Sequence, residues 1–324
     1  MMKLNFSQNH KLLFGIVFFG FVALSIIIAI IPAVQVNDRD PMCGVNTLTL
    51  SEFRGLNTYV SEGCLYCHTQ QVRPLKLDKI FGRPSSPLDY SYLQPIDDIR
   101  MTPAVLGSER TGPDLSNIGN RQPSEIWHHI HLYSPRAVVK SSIMQAYTWL
   151  YETKETPDSN DLVIPVPDEY APANGKVVAK QEAKDLVAYL LFLKQKPIEG
   201  IDQVIESSNE STPSKNERGA NLYNSNCASC HQQNGEGIPK TFPPLKNSAT
   251  VNSDDAESHI RVVLFGKKGG TIDGVTYTAE MPAQKEILTD EQITSIINYE
   301  RSSWGNSGKM INVEDVKRIR GEGK

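Results

Sequence analysis

The chain has 324 residues, about two average domains at ~150 residues each, and its 39% hydrophobic content with 22 glycines is ordinary for a globular protein, which excludes wholesale disorder. Lys and Arg number 33 against 37 Asp and Glu, a net charge of -4. That balance lacks the basic excess needed to neutralise a phosphate backbone, so nucleic acid is not an expected partner.

Leu12 to Val34 runs 23 residues with Ser25 as its only clearly polar member and no charge. At 1.5 Å per residue this is enough to cross a ~30 Å hydrocarbon core, and the stretch predicts one transmembrane helix within residues 1–37. Lys3 and Lys11 precede it, while Asp38, Arg39 and Asp40 follow. The cationic bias puts the amino end in the cytoplasm and the rest outside. A cleaved signal peptide would want a shorter apolar region and small residues at its cleavage site, and Pro32-Ala33-Val34-Gln35 matches poorly. Cys43 follows Arg39-Asp40-Pro41-Met42, which is no lipobox, and reads as a spare thiol.

The other four cysteines form Cys64-Leu65-Tyr66-Cys67-His68 and Cys227-Ala228-Ser229-Cys230-His231, both CxxCH, the spacing that attaches a c-type haem. Two cysteines three apart sit about one helical turn from each other, so each can add to one vinyl group of a single porphyrin, with the adjacent histidine held under the iron. Zinc is the rival reading. Four-Cys zinc sites want pairs ~15 to 20 residues apart, whereas Cys67 and Cys227 are 160 apart in number. A dithiol redox pair would need a βαβ context and offers no reason for a histidine after both pairs. Two covalent haem c groups are therefore expected.

The surroundings repeat as well, which argues for tandem domains. Gly55 and Tyr59 precede the first motif as Gly219 and Tyr223 precede the second, both at Gly-x-x-x-Tyr spacing. Each copy closes with a helical pattern: Leu186, Tyr189, Leu190 and Leu193 before Pro197, then Ile293, Ile296, Ile297 and Trp304, the latter opened by the capping box Thr289-x-x-Gln292. The fold class is all-α: a transmembrane helix followed by two cytochrome c-like domains, residues 44–200 and 218–305. Residues 201–217 form the linker, since Glu206 to Glu217 holds no aliphatic or aromatic side chain. Residues 306–324 are a tail without an assigned role.

A thioether opposite the axial histidine raises the reduction potential and suits electron transfer, whereas an open face binds gases or peroxide. In the second domain Met281, 50 residues after His231 and just before the closing helix, is the expected partner of His231. In the first, Met101 and Met144 are candidates with His68, and Met144 is preferred because it lies nearer the closing helix, as Met281 does. His128, His129 and His131 cluster on one helical stretch; their i, i+1, i+3 spacing does not put all three on one face, and they read as surface or partner-contacting residues.

Around the first motif, EGCLYCHTQQVRP (62–74), GSERTGPDLSNIGNR (107–121), WHHIHLYSPRAVV (127–139) and SSIMQAYTWL (141–150) resemble the membrane-anchored mono-haem subunit II of cbb3-type haem-copper oxidases. The resemblance covers the chain as far as the end of the first closing helix and includes the anchor. It implies attachment through Cys64 and Cys67, coordination by His68 and Met144, a haem domain in the periplasm of a bacterial inner membrane, and electron delivery to a catalytic haem-copper subunit. Gln145 stands where that family usually has Pro.

The family usually stops near the end of the first domain. The added segment resembles a class I cytochrome c in FPPLKNS (242–248) and LTDEQITSIINYERSSWGN (288–306), and reads as an electron-entry module fed by a soluble cytochrome c-type or other donor. By the same likeness Pro113 and Pro244 sit where a loop carbonyl meets the second nitrogen of the axial histidine. Arg73 and Arg110 are candidates for the haem propionates. The segment from Leu150 to Val178, rich in Pro and carboxylates, reads as a solvated loop or subunit contact. No catalytic set for bond-making chemistry is visible, so the chain is expected to move electrons only. The alternatives are a dihaem peroxidase, a free-standing membrane-anchored carrier, or a nitric oxide reductase small subunit.

Overall fold

The structure is a computed structural model that describes residues 9–32, 34, 47–86, 89–90, 105–196, 215–272 and 274–323. Cys43, Met101 and most of the expected linker lie outside the described residues.

Helix α1 (His10–Ser25) opens on Asn9, whose side chain accepts from Leu12 N, and continues through a π-helical turn (Ile26–Ile30). Its Phe and Ile side chains are exposed. Among the described residues it is the one helix long and apolar enough to cross a membrane.

The first domain is organised by a crossing of α2 (Leu50–Ser61) and the closing helix (Gln181–Phe192). Thr49 and Glu52 form a capping box at the start of α2. The helices touch at Gly55, where a Cβ would collide with the Asp185 carbonyl. One turn further on, Tyr59 meets Tyr189 edge-on with ring centroids 5.6 Å apart, both fully buried. The Asp185 carboxylate, itself buried, accepts from Arg54 Nε at 2.6 Å and Ser51 Oγ at 2.5 Å, which ties the two helices electrostatically. The Gly-x-x-x-Tyr motif thus has a mechanical meaning: glycine permits close approach and tyrosine fills the space beside it.

Between these helices come α3 (Glu125–Tyr133) and three strands, β1 (Tyr151–Lys154), β2 (Val163–Ile164) and β3 (Lys176–Ala179). They form an antiparallel sheet in the order β1-β3-β2, with Tyr151 opposite Ala179 and Val163 opposite Val178. The segment expected to be a loop therefore holds a small sheet. The structural reason is at its ends, where Tyr151, Ile164, Val177, Val178 and Ala179 are buried. Numbering the closing helix of the first domain α4, the second domain begins at α5 (Lys215–Asn226) and repeats the crossing with α7 (Asp290–Ser302). A Cβ on Gly219 would collide with the Ser295 carbonyl, and Tyr223 packs on Tyr299 at 5.4 Å and on Trp304 at 5.0 Å. The Thr289/Gln292 capping box is formed.

Helix α6 (Glu257–Phe265) completes this domain with Ile260 and Leu264 against Ile293, Ile296 and Ile297. A hairpin of β4 (Gly270–Ile272) and β5 (Val275–Tyr277) precedes Met281. The tail also folds. Helix α8 (Val313–Glu322), capped by Asn312 and Asp315, inserts Val316 and Ile319 into the same core, both without exposed surface.

Candidate haem sites

In the first domain, α2 ends at Ser61 and the chain turns through Gly63 in the left-handed region (φ 73°), where glycine carries no Cβ penalty. A 3-10 turn (Cys64–Tyr66) follows, and His68 N donates to Cys64 O at 3.0 Å. One helical turn therefore carries both thiols and the imidazole. The His68 Nδ1–H donates to the Pro113 carbonyl at 2.8 Å, which fixes the tautomer and leaves Nε2 with its lone pair free. Gly112 lies against the ring, where a Cβ would clash with it. Asp114 locks this loop by accepting from Thr69 Oγ1, Gln71 N and Ser116 N at 2.7, 2.8 and 2.8 Å. Burial holds the His68 pKa below its ordinary value, so the imidazole is neutral, the state in which it binds a metal.

The second motif is built alike. Cys227 N donates to Tyr223 O at 2.8 Å and His231 N to Cys227 O at 3.0 Å, and the short helix Ala228–His231 holds the histidine. Burial lowers the His231 pKa as it does that of His68. His231 Nδ1–H donates at 2.9 Å to a loop carbonyl, but that carbonyl belongs to Pro243, not to Pro244. The register explains the correction: Pro113-Asp114-Leu115 corresponds to Pro243-Pro244-Leu245, so the first proline of the pair is the structural counterpart of Pro113, while Pro244 lines the cavity.

A cavity of about 1260 Å³, counted with its open mouth, lies beside this histidine. Cys227, Cys230 and His231 line it together with Met281 and Pro282. Met281 is pinned by two backbone bonds with Lys267, at 2.8 and 2.9 Å, beside Gly266 in the left-handed region. A large, mostly apolar space with thiols and a neutral imidazole on its wall and a thioether along the lining fits a porphyrin.

Met144 is half-buried and its N donates to Ser142 Oγ at 3.3 Å. Its segment is laid over the first attachment motif: Tyr147 is near enough to the Cys64 thiol to act on it electrostatically, and Trp149 Nε1 donates to Glu62 at 3.1 Å.

Burial favours the protonated form of three of the four thiols. Burial pushes Cys64 up to about 12, Cys230 up to about 12 and Cys227 well above its ordinary value. Zinc ligation and dithiol exchange instead require a lowered thiol pKa. Among the described residues no group of three or more His, Cys, Asp or Glu is arranged to hold a metal ion.

Arg73 and Arg110 both engage Asp78, with Arg73 Nε at 2.9 Å from the carboxylate. Arg110 also donates to Thr69 Oγ1 at 2.9 Å and Gln71 O at 2.7 Å. Both guanidinium groups are thus committed to protein acceptors. Arg121 differs: it stacks over Phe81 at 5.3 Å and donates to Asp114 O at 2.5 Å, yet its buried Nε has no partner. Burial lowers its pKa to about 10, and its charge acts on His68. An anionic group beside His68 would satisfy it. The signal in the sequence was its position at the end of the GSERTGPDLSNIGNR segment.

Two of the three histidines are not surface residues, and His131 is half-buried. His128 and His129 are fully buried, His128 Nε2–H donates to Gln122 O at 2.8 Å, and His129 Nδ1 hydrogen-bonds Tyr151 at 3.2 Å. Local hydrogen bonding lets α3 bury polar rings that spacing alone assigns to the outside. Burial lowers His128 to about 4 and His131 to about 3.

Two attachment turns with a proline-held neutral histidine, each beneath the same helix crossing, define a c-type cytochrome, a protein that binds haem covalently and transfers electrons. A family profile described as "Cytochrome C oxidase, mono-heme subunit/FixO" matches residues 5–166, half of the chain, and a cytochrome c profile matches residues 216–304. The chain belongs to the FixO family of cytochrome c oxidase mono-haem subunits, with a cytochrome c domain fused after it. Family and apolar helix together mark it as a single-pass membrane protein.

Cytochrome c-552 of Thermus thermophilus is 35% identical over 111 residues, 32% of this chain and 83% of that protein. The cytochrome c subunit of a quinone-dependent alcohol dehydrogenase of Gluconobacter oxydans is 33% identical over 106 residues, and the match spans only 22% of that subunit. A fructose dehydrogenase cytochrome subunit of Gluconobacter japonicus is 31% identical over 156 residues, 46% of this chain and 31% of that subunit.

Proposed function

We propose that the chain is a dihaem electron-transfer subunit of a cbb3-type oxidase in a bacterial inner membrane, with its amino end in the cytoplasm and both haem domains in the periplasm. Cys64 and Cys67 attach one haem and Cys227 and Cys230 the other. His68 with Met144, and His231 with Met281, would hold the two irons. The prolines fix ring orientation, and Arg121 adds a buried donor for a propionate. When bound, each haem supplies an iron that alternates between ferrous and ferric and so accepts and yields one electron. The protein's part would be to present an imidazole and a thioether to each iron, exclude water, and keep the imidazole neutral.

The second domain receives electrons from a periplasmic donor, and the first passes them to a catalytic haem-copper subunit. The observation that carries this reading is the occurrence of two complete attachment turns on one anchored chain of the FixO family. The dehydrogenase cytochrome subunits among the relatives favour a second reading, in which the catalytic partner is a dehydrogenase. Purification of the native membrane complex decides between them. The expected result is two haem adducts per chain by mass and a copurifying many-helix haem-copper subunit; one adduct, or a dehydrogenase companion, overturns the proposal.

A further inference from the structure

The cysteine-bearing turn of the second domain does not face solvent alone. Ser229, between Cys227 and Cys230, is held by two side chains of the first domain: Gln122 Nε2 donates to its hydroxyl at 2.5 Å, and Trp127 Nε1 donates to its carbonyl at 2.9 Å. The Gln122 Oε1 lies 4.0 Å from Cys230 Sγ. Gln122 is buried, and its backbone carbonyl is fixed by His128. Gln122 and Pro123 also line the cavity that holds His231 and Met281, so the first domain completes the wall of the second haem site.

On the other side of this contact, Trp127 lies parallel to His131, with 4.7 Å between ring centroids and 9° between planes. His131 lies within electrostatic reach of His68, and its buried Nδ1 has no hydrogen-bond partner. Packed groups therefore lead from the second attachment turn through Trp127 to His131, which lies within electrostatic reach of His68 in the first.

We propose that this junction is the electron-transfer face between the two domains, with Gln122 and Trp127 as the positioning residues that seat the Cys227–Cys230 turn against α3. The inference rests on the dihaem reading. One electron leaves the second domain, which is oxidised, and enters the first, which is reduced; no proton or bond is exchanged and Trp127 is unchanged. Tunnelling falls exponentially with distance and is weakened by water-filled gaps, so a close-packed contact is worth more than a long tether between free domains.

The test uses the full-length holoprotein, with two haem adducts first verified by mass. One electron is injected photochemically, the equilibration rate between haems is recorded, and both midpoint potentials are titrated. Trp127→Leu should slow equilibration about tenfold or more with the difference between potentials unchanged, and Gln122→Ala, whose side chain lines the second haem site, should slow it beyond what any measured change in that difference accounts for. Trp127→Phe, which keeps an aromatic ring and loses the Ser229 bond, guards against misfolding of the leucine variant and should slow it less. Lys240→Ala, which removes only the exposed pair with Asp168 across the same boundary, should leave the rate alone. Wild-type rates in the Gln122 and Trp127 variants, or equal slowing by Lys240→Ala, overturn the inference while leaving the dihaem reading intact. A single adduct in the wild type overturns that reading and the inference with it.

Discussion

The His231 Nδ1–H donates to the Pro243 carbonyl at 2.9 Å, and His68 makes the equivalent bond to Pro113 at 2.8 Å. One bond in each domain decides which ring nitrogen keeps its lone pair free for a metal. In the first domain the bond survives because Gly112 leaves the ring its space. Gly112→Ala is expected to displace His68 and weaken axial ligation by about 10- to 100-fold, the usual effect of disturbing a ligand's support. A high-spin contribution from half of the haem in visible and magnetic spectra is the readout; an unchanged spectrum contradicts the geometry.

Met281→Ala and Met144→Ala should each lower one midpoint potential, because a thioether ligand raises it, and each should open one haem to carbon monoxide. Redox titration and carbon monoxide binding check this separately for each domain. A Met144→Ala protein with both potentials intact removes Met144 as a ligand.

Gly219→Ala sets two effects against each other. Helix propensity alone favours alanine by about 1 kcal/mol. The collision with the Ser295 carbonyl costs about 1–3 kcal/mol, since backbone gives way less readily than a side chain. Net destabilisation in thermal unfolding is expected, and the same holds for Gly55→Ala against Asp185.

Ile319→Ala tests whether α8 belongs to the core. Ile319 has no exposed surface and packs with Ile260 and Leu264. A loss of about 2–5 kcal/mol is expected in denaturant titration. A change within experimental error would mean the helix is an appendage.

The Arg73 hydrogen bond, joined by Arg110, holds the Asp78 carboxyl well below the usual carboxylate range. Its folded pKa is depressed, so its contribution is present above the unfolded value of ~3.9 and is lost as pH falls through the folded value. Asp78→Asn should destabilise the protein at neutral pH by about 3 kcal/mol, the low end for buried pairs because Arg73 is exposed. That deficit should shrink progressively below about pH 4. Unfolding of both proteins across pH 2 to 8 measures it, and a deficit independent of pH would rule out the charge as its origin.

The attachment turns, the Gly-x-x-x-Tyr helices and the capping box at Thr289 were legible in the sequence because side-chain chemistry and spacing define them. The Pro243 carbonyl was misread as that of Pro244 because a backbone acceptor carries no side-chain signature, and only the Pro-x-Leu register distinguishes the two. Helix α8 offered just Val313, Val316 and Ile319 at i, i+3, i+6, behind an Asn312-x-x-Asp315 cap that the dense charge around it obscured. The strands at Tyr151 and Lys176 were hidden by the prolines and carboxylates between them. His128 and His129 read as surface residues because their partners, Gln122 O and the Tyr151 hydroxyl, are set by tertiary packing.

The doubled helix crossing also carries a hazard during biosynthesis. Arg54 and Gly55 of α2 correspond to Arg218 and Gly219 of α5, and Asp185 and Tyr189 of α4 to Ser295 and Tyr299 of α7. A wrong match of α5 with α4 would find a glycine, a tyrosine and even an Arg–Asp pair in place, so local contrast between the two copies discriminates weakly. A chain emerging amino end first completes α2 and α4 before α7 exists, and this timetable, more than side-chain selectivity, keeps the two copies from entangling.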